Sequence, residues 1–173
     1  MLRLIPTSII LTAFFSINLA HSQAGIAYYL DVDNPVAFVQ ALDTLNTSPE
    51  ARSDNVRVAL SVSVANGPSS STHVVNVIGD SLSDIDALRR TQATSQAFSD
   101  FLTVNRNNVT NVAELMFNST GTSDGKDSII TSPNAYTWYI HLLVSDIPAY
   151  MTALQDLMAA NRNRNVTMHA YQV

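Results

Sequence analysis

The side chains best suited to chemistry in this 173-residue chain are imidazoles, phenols and a few carboxylates. His73, His141 and His169 all lie in segments with the alternation of strands, with Tyr139 two positions before His141 and Tyr171 two after His169. Residues two apart on a strand share a face, so Tyr139 goes with His141, His169 with Tyr171, and Tyr29 with Asp31. Aligning the repeated segments described below sets Glu114 at the place of Tyr171. The expected ligand-lining set is therefore Tyr29, Glu114, Tyr139, His141, His169 and Tyr171, gathered on one face of a sheet. A few polar groups on an otherwise apolar wall are how small-molecule sites are built. The same groups would serve as acids or bases, and Tyr and His also pack at interfaces with no chemistry at all. No individual catalytic residue stands out.

Much chemistry is excluded by composition. The chain has no cysteine, hence no disulfide, thiolate metal site or cysteine nucleophile. Lysine occurs once, at Lys126. No His-x-His or His-x-x-x-His spacing suits a metal, and no metal or cofactor is expected. With five glycines and no Gly-x-Gly-x-x-Gly, phosphate loop or Gly-x-Ser-x-Gly, nucleotide and serine-hydrolase chemistry recede as well. A net charge of −5 argues against nucleic-acid binding through a basic surface.

The elements that must position these residues recur. Segments 26–65, 72–117 and 137–173 each read as strand, helix, strand. An acid precedes each helix, at Asp33, Asp80 and Asp146, and each outgoing strand follows an asparagine: Asn55-Val56-Arg57, Asn108-Val109-Thr110 and Asn165-Val166-Thr167. Asn46, Asn108, Asn118 and Asn165 also open glycosylation triplets. The helices carry one-sided apolar stripes: Val36, Val39, Leu42 and Leu45 in the first, Ile147, Met151, Leu154, Leu157 and Met158 in the third. The middle helix, spanning 82–104, reads as long or broken, and Ser81-Leu82-Ser83-Asp84 as a capping-box variant at its start. One-sided stripes and alternating strands imply a sheet with helices on one face and small or polar residues on the other. Residues 119–134, rich in Ser, Thr, Gly and Asp, read as a loop.

The first 24 residues form a leader: Arg3, an apolar stretch, then small residues at Ala20, Ser22 and Ala24. Cleavage is expected before Gly25, with the position after Ser22 as the near alternative. The stretch is short and polar for a membrane anchor, and no later segment is apolar enough to span a bilayer. Loss of Arg3 and no acid leaves a mature chain of net charge −6, forming one domain over 25–173 in the periplasm or outside the cell.

Two joined strand–helix–strand units resemble the ferredoxin-like fold, and the whole pattern resembles the dimeric α/β-barrel superfamily. That resemblance implies an α+β domain of three βαβ repeats, an antiparallel-type sheet with helices on one face, and pairing of sheets through their uncovered faces into a homo-oligomer. The reading is an exported small-molecule-binding or interaction module, holding a small apolar or aromatic ligand on the uncovered face. A cofactor-free oxygenase or isomerase on the same scaffold and a purely structural or self-associating envelope domain are the alternatives.

Overall fold

A computed structural model describes residues 23–123, 138, 140–161 and 168–173. Residues 1–22 of the expected leader, Tyr139, Asn165 and loop residues 124–134 lie outside the described residues. The elements run β1 (Ala24–Val32), α1 (Pro35–Thr47), a short 3-10 turn (Pro49–Ala51), β2 (Val56–Val62), β3 (His73–Gly79), α2 (Leu82–Ala93), α3 (Gln96–Asn105), β4 (Val109–Ser123), α4 (Ile147–Asn161) and β5 (His169–Gln172). The sheet order is β2-β3-β1-β4-β5, with every pairing antiparallel.

In this order β3 lies between β1 and β2, and β1 lies between β3 and β4. The units β1-α1-β2 and β3-α2-α3-β4 are thus interleaved, the split βαβ arrangement of the ferredoxin-like fold. The third copy is not complete. Its helix and outgoing strand form α4 and β5, but residues 140–144 belong to no strand. β5 pairs at the edge beside β4, while residues 140–144 join no strand and pass over the sheet at His141. Residues 119–123, expected to open a loop, continue β4 because β5 pairs with them.

The helix starts are capped by side chains. Asn34 Oδ1 accepts from the Ala37 amide at 3.2 Å, with Pro35 next in the first turn, where its missing N–H costs nothing. Ser81 Oγ accepts from the Asp84 amide and donates to the Asp84 carboxylate, a capping-box variant that, together with a bond from Asn55, holds that carboxyl below its ordinary range. Of the three acids expected to cap, only Asp146 does so, accepting from the Ala149 amide at 3.0 Å. At the other two sites the residue after the acid caps. The middle helix breaks at Thr94, and Ser95 Oγ restarts it by accepting from the Phe98 amide.

Two buried clusters hold these helices to the sheet. Leu30, Val32, Phe38, Leu42 and Val75 form one; Ile26, Val56, Ile85 and Leu88 form the other. Each such side chain contributes about 1.5–3 kcal/mol when withdrawn from water. His73 belongs to this core: it is 4% exposed, its ring lies 5.9 Å from that of Phe38, and Nδ1 meets Thr72 Oγ1 at 2.8 Å. Burial of the imidazole lowers its pKa.

The asparagines before the outgoing strands lock the two units together reciprocally. The Asn108 carbonyl accepts from the Asp33 amide at 3.0 Å, and the Asn55 carbonyl accepts from the Asp80 amide at 3.0 Å. Asn108 does more. Its Oδ1 accepts from the Asn34 amide at 2.6 Å and its Nδ2 donates to the Asn34 carbonyl at 3.1 Å. Buried and with its amide engaged, Asn108 is a strut of the fold and not a sugar acceptor on the folded surface.

Asn108→Ala strands the backbone groups of Asn34, and a loss of about 1–3 kcal/mol is expected in urea unfolding; exposed Asn118→Ala is expected to stay within about 0.5 kcal/mol. His73 gives a pH dependence. With its folded pKa below the unfolded value of about 6.5, the unfolded chain binds the extra proton, so stability falls as pH drops from 7 through that value toward the folded pKa. The urea midpoint of wild type is expected to fall more between pH 7.5 and 5.5 than that of His73→Gln.

Candidate functional site

The two faces of the sheet are separated by β1. Tyr28 packs into both helix-side clusters, so Tyr29 and Ala27 present their side chains to the opposite face. There Ala27, Val74 and Phe117 form a third buried cluster, with Tyr29, Ile78 and Tyr171 packed against it. This face is therefore aromatic at its centre, not merely small or polar.

Four members of the expected set are on this face or over it. The Tyr29 hydroxyl and His141 Nε2 are 3.1 Å apart, with ring centroids at 6.2 Å. His141 thus crosses over the sheet from the run preceding α4. On β5, the rings of His169 and Tyr171 stack at 6.1 Å and 21°, and Tyr171 meets Phe117 edge-on at 4.6 Å. Tyr139 lies outside the described residues.

Glu114 does not join them. It pairs directly with Tyr28, on the helix-covered side, where its charge adds to desolvation in raising the Tyr28 pKa while Arg89 opposes both. The displacement is one residue of parity. β4 carries an extra residue at Val112, since Tyr29 faces Ala113 while Leu30 faces Asn111. Ala113, Leu115, Phe117 and Ser119 consequently share the face of Tyr29 and Tyr171, and Glu114 and Met116 take the other. A one-residue slip moves every side chain to the opposite face.

Two residues that organise the face were not anticipated. Phe117 is its centre, and Gly25 admits it: a Cβ at Gly25 would lie 2.2 Å from Phe117 Cζ and 2.5 Å from Cε2. The ring therefore rests on bare backbone. A glycine inside a strand is itself a sequence signal for such close approach.

The sheet is strongly curled. A groove of about 80 Å³ is lined by Arg57 from β2 and Ile78 from β3 together with His169 and Tyr171 from β5, although β2 and β5 are the opposite edges of the sheet. Gln23, Asp54 and Asp80 complete its rim. The groove holds both charge signs and is far smaller than the roughly 300–1,000 Å³ of an ordinary small-molecule pocket. Among the described residues no three His, Asp or Glu side chains converge in a way that would hold a metal.

Comparison with known proteins adds no chemistry. No family model and no curated protein matches the chain. Among solved structures it is similar to a dimeric protein of unknown function and ferredoxin-like fold from Bacteroides fragilis, at 12% identity, covering 57% of this chain and 94% of that one with a TM-score of 0.35.

The Gly25–Phe117 contact is directly testable. Gly25→Ala is expected to destabilise by about 1–3 kcal/mol through overpacking. In a Phe117→Ala background the same change is expected to cost under about 0.5 kcal/mol, because the obstructing ring is gone. Additive effects in a urea-unfolding cycle would show that the ring does not rest there.

Proposed function

We propose that this chain is an exported interaction module that works as a symmetric assembly of copies of itself, joined through the apolar surface at its C-terminal third. The observation that carries this reading is the exposure of Trp138, Ile140, Leu142, Leu143 and Ile147. Trp138 is 85% exposed, Ile140 70%, Leu142 58%, Leu143 fully and Ile147 59%. Leu157 on α4 is also exposed, and Met158 is the one fully buried side chain of that helix. A contiguous apolar surface of this kind, with no charged residue between positions 138 and 144, is costly in water and marks an interface.

A second copy is the fitting occupant. The run from 138 to 144 carries no carboxylate, ammonium or guanidinium that would select a charged partner, and an equal surface on another copy satisfies it by two-fold symmetry, the commonest closed arrangement. Residues 140–144 have the alternation of a strand but no ladder, and among the described residues no strand pairs with the outer side of β2. Pairing of that run with a neighbouring copy would satisfy its backbone groups as well as its side chains. The export part of the reading is supported by the leader pattern, and no helix among the described residues is long and apolar enough to cross a membrane.

A small planar ligand against the His169–Tyr171 stack is the second reading, favoured by the near-parallel rings at the groove. It predicts extra mass on the native protein that is released on denaturation.

Light scattering and native mass spectrometry of the exported protein test both readings. A dimer is expected at micromolar concentration, and Leu142→Glu combined with Leu143→Glu is expected to yield a folded monomer with unchanged circular dichroism. A monomeric wild type, or a charged variant that still dimerises, would overturn the self-association reading.

A further inference from the structure

We infer that the leader is cut between Ser22 and Gln23, and that Gln23, once N-terminal, closes on itself to a pyrrolidone carboxylate. The inference rests on the export reading above and specifies what export leaves behind.

Two positions directly after the apolar stretch satisfy the small-x-small rule: after Ser22, with Ala20 two before it, and after Ala24, with Ser22 two before it. Their products differ sharply once folded. Ala24 is 2% exposed and pairs with Gly79 on one side and Asn118 on the other. The Gln23 carbonyl accepts from the Ser119 amide at 2.7 Å, at the point where β4 leaves β1 and passes to β5. A cut after Ala24 removes these partners. It also places the new α-ammonium on Gly25, which is buried in the middle of the sheet beneath the Phe117 ring. Burying an unpaired ammonium there carries a heavy desolvation cost.

A cut after Ser22 has neither consequence. β1 stays whole, and the new terminus falls on Gln23, half-exposed at the groove whose rim includes Asp54 and Asp80. A free α-amine has a pKa of about 7.7–8.0, so part of it is neutral near pH 7.5 and able to act as a nucleophile. In an N-terminal glutamine this amine reaches the side-chain amide carbon in a five-membered ring. The N–Cδ bond forms, the Cδ–Nε2 bond breaks, and the amide nitrogen leaves as ammonia with the proton from the amine. No oxidant or cofactor is needed. The product is a neutral lactam, so the mature chain loses its terminal positive charge.

Expression of the full chain in an exporting host, followed by intact mass and N-terminal peptide analysis of the exported protein, tests this. The expected mass is that of 23–173 less one ammonia, and Gln23→Asn is expected to keep its full mass from the same start. A terminus at Gly25 overturns the cleavage position. A Gln23 terminus that retains its ammonia after prolonged incubation at pH 8 overturns ring closure. Full-length protein held in the cell overturns the export reading itself, a distinct outcome from either.

Discussion

The seating of the Phe117 ring on the bare backbone of Gly25 is the contact on which the far half of the molecule depends. The ring bridges β4 to β1, and the edge of Tyr171 meets it at 4.6 Å, drawing β5 over the same face. Any larger residue at position 25 would lift the ring from the sheet. β4 can then no longer deliver β5 to the side where Ile78 and Arg57 wait. The curl of the sheet, the groove at its end and the aromatic centre of its second face thus share one steric cause.

The other half is held by polar geometry. Asn55 and Asn108 each close the start of an outgoing strand against the residue that opens the helix of the opposite unit. Interleaved units need such a clasp, because neither contains both strands that flank its own strand. Asn108, with its amide bonded to both backbone groups of Asn34, is the stronger clasp, and burial makes its bonds costly to lose. Two buried apolar clusters anchor α1 and α2 to the same sheet.

The C-terminal third follows a different logic. β5 extends the sheet at the edge beside β4, and α4 precedes it in the chain. The run before α4 is left lying over the aromatic face at His141 while Ile140, Leu142 and Leu143 point to water. Among the described residues nothing covers this apolar run, and no strand pairs with the outer side of β2.

The helices were legible from residue order, their buried faces and caps less so: Val36, Val39, Ile147 and Leu157 of the expected stripes are exposed, Phe38 is buried in α1 instead, and of the acids before the helices only Asp146 caps. Apolar spacing marked α1 and α4, Ser95 sits where the middle helix restarts, and the Ser81–Asp84 box forms as its pattern implies. These depend on neighbours within four positions, which a linear sequence displays. The site was legible only in part. His169 stacks with Tyr171, as two-residue spacing along a strand suggests, whereas Tyr29 and His141 meet across the fold although residues 140–144 form no strand. Glu114 missed its face because one extra residue at Val112 shifted the parity of β4, and Phe117 took the centre by the same shift. Residues 140–144, expected within the third copy's incoming strand, join no ladder, although their own order alternates like a strand. By itself the sequence determined the local elements, since helical and strand periods are set by adjacent residues. Register, curl and the choice of edge were decided only in the tertiary structure. Each depends on which distant backbone groups and rings reach one another first, and nothing local encodes that.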